Sequence, residues 1–143
     1  MIVALKILHV LAAAIWFGHK VLVPGDVRRS IRDLSGSAMF VDRMKQAQRL
    51  GIASGLVTVV SGLALTHLVW GITGAPIRIY LGLAAALAIF IVGATASRRA
   101  WRRIRSGIDA GDAPAAASGV GPFTRALALE NLLWIFALGT MIT

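Results

Sequence analysis

Four apolar stretches, each close to twenty residues long, dominate this chain. They cover residues 2–23, 50–72, 77–97 and 124–143. An α-helix needs about 20 mostly apolar residues to cross a bilayer core roughly 30 Å thick. Hydrophobic residues make up 57% of the chain, whereas soluble domains contain about 45–50%. The lengths therefore predict an all-α protein, an integral membrane four-helix bundle in which residues 1–143 form a single transmembrane domain.

The basic residues fall into two groups, and these groups determine the predicted orientation. The loops 24–49 and 98–123 contain Arg28, Arg29, Arg32, Arg43, Lys45, Arg49, Arg98, Arg99, Arg102, Arg103 and Arg105. Because short cytoplasmic loops carry an excess of Lys and Arg, both loops are expected in the cytoplasm. This predicts an up-down-up-down bundle with both termini extracytoplasmic, as a multi-pass protein of the bacterial inner membrane. These basic side chains, which give the chain its net charge of +9, are then expected to contact the lipid headgroups of the membrane. No nucleic-acid partner is expected.

Two segments have a composition that interrupts helices. Pro24-Gly25 predicts the end of the first helix. Residues 106–122 are rich in Gly, Ala, Ser and Pro, which predicts a flexible cytoplasmic connection.

The three histidines differ in their predicted depth in the membrane. His9 and His67 are expected at similar depth below the outer surface, because their helices run in opposite directions. His19 lies about 15 Å from His9 along the same helix, at about 1.5 Å per residue. Only His9 and His67 are therefore expected to meet.

The first helix presents its ionisable residues on one stripe. Lys6, His9, Trp16 and Lys20 follow helical spacing, and polar groups within a membrane are expected to face the bundle interior. His67 shares a stripe with Val60, Leu63 and Trp70, opposite the small residues Gly51, Gly55, Thr58 and Gly62 of the second helix. That stripe could face a cavity, the lipid headgroups or a second subunit in a homodimer, and the sequence leaves these alternatives open.

Glu130 lies within the fourth apolar stretch, at the predicted depth of Trp16 to Lys20. A buried carboxylate needs a partner or a proton. His19, Lys20 and Arg125 are the candidate partners. The cluster predicts either a structural salt bridge or a proton-transfer site.

Several kinds of chemistry are excluded or favoured by these residues. The chain has no cysteine, which excludes disulfides, thiolate metal sites and covalent c-type haem. Two facing imidazoles suit bis-histidine ligation of haem b by His9 and His67. Lys6 and Arg78 could pair with the propionates, and Trp16 could pack near the macrocycle. Copper is the alternative cofactor, because Met141 is expected near the same surface and a thioether with imidazoles suits Cu(I).

The first helix also resembles that of a known group of proteins. Leu5-Lys6-Ile7-Leu8-His9, then Trp16-Phe17-Gly18 and Pro24, are similar to the first helix of small bacterial membrane proteins of the CopD-type and HemJ-type group. The HemJ-type members are protoporphyrinogen oxidases. The resemblance implies a haem-binding role for His9. Those oxidases also use a lysine in the third helix, and residues 77–97 contain none, so the resemblance carries over haem binding rather than porphyrinogen oxidation.

Together these observations predict a haem-b-binding inner-membrane protein that acts in electron transfer or a haem-linked redox step, which leaves a membrane oxidoreductase as one possibility. A quinone or a membrane redox protein is the expected partner. A copper-handling or transport protein, and a cofactor-free structural or regulatory subunit, are the alternatives.

Overall fold

The computed structural model describes the backbone of residues 1–32, 37–71 and 73–142, and no strand occurs among them. The elements are six α-helices and one π-helical turn: α1 (Ile2–Arg32), α2 (Ser37–Trp70), α3 (Ile77–Val92), the π turn (Gly93–Ser97), α4 (Arg98–Asp109), α5 (Ala113–Ser118) and α6 (Val120–Ile142). The predicted all-α class is therefore confirmed.

Two helical segments are long and apolar enough to cross a membrane. They are Met39–Trp70 and Ile77–Asp109, which runs through α3, the π turn and α4. The apolar part of α1, Ile2–Gly18, is shorter than these two segments. Large apolar side chains such as Val10, Leu56 and Leu132 are exposed on the long helices, as expected of helices in contact with lipid. The four-span membrane topology stays a prediction.

The long helices pack as two pairs. α1 lies along α2, and α3 lies along α6, while contacts between α1 and α6 join the pairs. α2 and α3 follow each other along the chain but touch only sparsely. A groove therefore remains between α2 and α3.

The first helix does not end at Pro24-Gly25, so that prediction is wrong. α1 continues to Arg32, because Val23 and Val27, on either side of the pair, are buried in a hydrophobic core at the arginine-rich end of the bundle. Proline removes only one backbone donor from the helix, and the packing of the two valines outweighs that loss. Trp101 lies in the same core, with its ring centroid 5.7 Å from that of Phe40.

Residues 106–122 are ordered, contrary to the predicted flexible connection. Gly111 has a positive φ of 66°, which turns the chain out of α4. The Asp112 side chain then caps α5, accepting a hydrogen bond of 2.9 Å from the Ala115 N–H. Ala116 is fully buried beside Gly107, where an added Cβ would overlap the Ala116 backbone. Small residues here allow close backbone packing instead of giving flexibility.

Candidate functional site

Two cavities, each of about 390 Å³, lie along the groove between α2 and α3. Both volumes fall within the range of about 300–1,000 Å³ typical of small-molecule sites. We call them the histidine cavity, which contains His9 and His67, and the ion-pair cavity, which contains Lys20 and Glu130. All four long helices contribute to each cavity.

The histidine cavity brings together most of the residues predicted to hold a cofactor. Lys6 and His9 come from α1, His67 from α2 and Arg78 from α3. Met141, which the copper alternative invokes, lines the same cavity from α6. The remaining lining residues are largely apolar, so the cavity combines an apolar lining with two imidazoles and two cationic side chains.

Hydrogen bonds to α2 determine the tautomer of His9. Its Nδ1 lies 2.9 Å from the Thr58 carbonyl oxygen and 3.0 Å from Ser61 Oγ. A carbonyl can only accept, and the Ser61 hydroxyl already donates to the Val57 carbonyl at 2.5 Å. Nδ1 therefore carries the proton, as assigned from this network, and Nε2 keeps its lone pair. Metal-binding histidines commonly show this arrangement, in which the second ring nitrogen donates to a backbone carbonyl.

The small-residue face of α2 makes this contact close. A Cβ at Gly62 would lie 3.0 Å from His9 Cε1, so the imidazole rests against the backbone of α2. A Cβ at Gly55 would lie 2.8 Å from Trp16 Cε2. The small residues thus serve the packing of α1 against α2.

His67 faces the histidine cavity, together with Leu63 and Trp70 from its stripe. Of the three alternatives for this stripe, the structure supports the cavity. His67 is more exposed than His9, which matches its position beside the open groove.

Trp16 lies elsewhere than expected. It is buried among aromatic rings, 4.8 Å from the Phe90 centroid and 4.9 Å from the Trp134 centroid. We call Trp16, Phe90 and Trp134 the aromatic cluster. Trp16 and Phe90 line the ion-pair cavity and not the histidine cavity, so the prediction that Trp16 packs near a macrocycle held by His9 is not supported.

The ion-pair cavity contains a buried pair of opposite charges. Lys20 Nζ pairs with Glu130 Oε2, and Ser97 Oγ donates a hydrogen bond of 2.6 Å to Glu130 Oε1. Exposed fractions are 9% for Lys20 and 1% for Glu130. Lys20 Nζ also lies 5.3 Å from the centroid of the Trp16 ring. Among the predicted partners of Glu130, Arg125 is exposed, and the His19 side chain lies outside the described residues.

Sequence reasoning missed Ser97 and Ser61. Ser97 ends the π turn, a wide helical turn that often marks functional positions, and its wider spacing cannot be read from a regular helical pattern. Within the described ranges, no group of three or more histidine, cysteine, aspartate or glutamate side chains forms a candidate metal site. A haem with two axial imidazoles needs no such group.

No family model, curated protein or solved structure matches this chain.

Proposed function

We propose that this chain is a multi-pass protein of the bacterial inner membrane that binds haem b in the histidine cavity and acts in electron transfer or a haem-linked redox step. The observation that carries the proposal is the meeting of His9 and His67 at one cavity, with the Nε2 lone pair of His9 left available. The likeness of the first helix to the CopD-type and HemJ-type group points the same way.

The membrane part of the proposal rests on where the charges and the apolar side chains lie. Basic side chains along α4 are exposed at one end of the bundle, where they would face anionic lipid headgroups and the cytoplasm. The turn between α2 and α3 is at the opposite end and would be extracytoplasmic. Four spans would then carry both termini to that outer side.

The residues of the histidine cavity fit a haem in three respects. His9 and His67 would hold the iron through their ring nitrogens, and Lys6 and Arg78 would pair with the carboxylates of the haem. The apolar remainder of the wall would exclude water from the ring. Bound haem supplies one-electron chemistry. The chain itself holds His9 in place, because the Thr58 carbonyl and the Gly62 backbone restrict the orientation of the imidazole.

The visible spectrum of the protein purified in mild detergent tests this function. We expect a sharp Soret band that shifts on reduction, as six-coordinate b-type haem gives. His9→Ala and His67→Ala should each weaken or shift the band, whereas His19→Ala is the matched control and should leave it unchanged. If neither of the first two variants alters the band, the ligand assignment is wrong. A colourless protein from haem-supplemented cells would contradict haem binding.

Copper handling is the second candidate, favoured by the presence of Met141 in the same cavity as both histidines. A thioether beside imidazoles is a ligand set that Cu(I) accepts. Metal analysis of the colourless protein separates the candidates. Copper that is retained by the wild-type chain and lost in Met141→Leu would support this function over haem binding.

A further inference from the structure

The ion-pair cavity is a second site, separate from the proposed haem position. The two cavities share no lining residue among those that the structure describes. Nothing in the proposed haem site uses Lys20, Glu130 or Ser97. A buried ion pair contributes little net stability, since the cost of removing both charges from water offsets their attraction. A role in binding would explain its presence.

The polar groups of this cavity have hydrogen-bonding capacity left over. A lysine ammonium has three N–H donors, and Lys20 uses one of them in its hydrogen bond to Glu130. Each carboxylate oxygen of Glu130 can accept more than the single bond it receives from Lys20 or Ser97. The cavity therefore offers hydrogen-bond donors and acceptors side by side, at the Lys20–Glu130 pair, whose opposite charges neutralise each other.

The shape and position of the cavity limit the ligands that could reach it. Ile52 of α2 and Ala94 beside α3 both line the cavity and are exposed. Because α2 and α3 touch only sparsely, a molecule dissolved in the hydrocarbon can enter sideways between them. The Trp16 and Phe90 rings form flat walls inside.

From these features we infer that the ion-pair cavity binds the ring of a membrane quinone or its quinol. A quinone carbonyl can accept from Lys20 Nζ, and a quinol hydroxyl can donate to Glu130, so one site suits both forms of the ring. A phospholipid headgroup fits the interior less well, because Glu130 neutralises Lys20 there and Arg98, the other cation of the lining, is exposed. The inference rests on the proposed function for the surrounding bilayer and for the choice of a redox-active ring, and it concerns binding alone.

Tryptophan fluorescence provides the test, because Trp16 lines the cavity and quinones quench nearby indoles. The purified protein in mild detergent is titrated with decylubiquinone. Decane is the control for binding of the alkyl tail alone. We expect saturable quenching by the quinone only. Lys20→Gln should raise the dissociation constant of the quinone about tenfold, the equivalent of one hydrogen bond to a charged group. Ser97→Ala, which removes one of the two groups that hold the Glu130 carboxylate, should raise the dissociation constant of the quinol, measured by displacement, about as much.

Thr95→Ala is the matched control, since Thr95 belongs to the same π turn but is exposed and bonds to the Ile91 carbonyl. It should bind as the wild type does. His9→Ala should keep the quenching while its Soret band weakens or shifts, which separates failure of this inference from failure of the haem proposal. Equal quenching by decane, or unchanged affinity in both cavity variants, would overturn the inference. Displacement of the quinone by an anionic phospholipid at stoichiometric amounts would assign the cavity to lipid instead.

A second measurement does not depend on altered polar residues. The chain has no cysteine, so Ala94→Cys introduces a single thiol at the mouth of the cavity. Decylubiquinone should slow its maleimide labelling at least tenfold and leave the labelling of Ala84→Cys unchanged. Ala84 is exposed on α3 away from both cavities. Equal labelling rates with and without the quinone would contradict entry through the groove.

Discussion

Removing Lys20 should destabilise the fold much more than removing an exposed lysine. The Lys20 and Glu130 side chains are 11% and 2% exposed, so Lys20→Met leaves a carboxylate buried with only the Ser97 hydroxyl as a partner. Loss of one member of a buried ion pair costs about 3–5 kcal/mol of the free energy of unfolding. The remaining Ser97 bond reduces this cost, and the lost contact between the ammonium and the Trp16 ring adds about 0.5–1 kcal/mol. We therefore expect a loss of about 3–5 kcal/mol.

The double variant Lys20→Met/Glu130→Leu should be more stable than Lys20→Met alone, because neither charge remains buried. Only the Ser97 hydroxyl then loses its partner, at a cost of about 1–3 kcal/mol. The two substitutions should thus be strongly non-additive, as expected of groups in direct contact.

Unfolding in detergent, monitored by near-ultraviolet circular dichroism, measures the free energy of unfolding of the wild type, Lys20→Met, Glu130→Leu and the double variant. Lys45→Met is the matched control, since Lys45 pairs with Asp42 at 3.0 Å while both side chains are largely exposed. Exposed pairs contribute about 0–1 kcal/mol, so this variant should lose no more than that. Equal losses for Lys20→Met and Lys45→Met, or additive effects of the two cavity substitutions, would refute the reasoning.

Two further predictions concern packing and topology. Gly55→Ala should lower the free energy of unfolding by about 1–3 kcal/mol, because its Cβ would lie 2.7 and 2.8 Å from two aromatic rings. Gly18→Ala, where no atom lies within 4 Å of the added Cβ, should instead stabilise the helix by about 0.4–1 kcal/mol, and the same unfolding assay compares the two. Thr73→Cys should react with an impermeant maleimide on intact spheroplasts, and Ser106→Cys only after permeabilisation. Labelling of both from the same side would contradict four spans.

The sequence predicts those features that depend only on helical geometry. The rise per residue and the opposite directions of two helices place His9 and His67 at one depth, and the structure brings both to one cavity. The apolar lengths likewise predict helices without strands. These inferences need no knowledge of tertiary packing, which is why composition and spacing suffice for them.

Features that depend on tertiary packing escape the sequence. Because Val23 and Val27 are buried, α1 continues beyond Pro24, a residue type that usually ends a helix. The π turn shifts the helical register, so Ser97 reaches Glu130 from a position that regular spacing does not favour. Residues 106–122 look flexible by composition, yet Ala116 is buried there. In each case a contact distant in sequence decides the local structure.

The groove between α2 and α3 follows from where the small residues lie. Close approach of two helices needs small side chains at the contact. The small face of α2 is already occupied by α1, since Gly62 packs on His9. α3 directs Gly82 toward α6, where an added Cβ would lie 2.9 Å from Thr140 Oγ1.

α2 and α3 each pack closely against a different helix, so few contacts draw them together. Leu63 and Leu83 line the histidine cavity from the two sides, where a gap remains between the helices. The short turn after α2 keeps the two helices neighbours without closing the gap. Both cavities thus arise from one packing preference. Substitutions that replace the small residues facing α1 or α6 should therefore disturb the two sites even where they touch neither cavity.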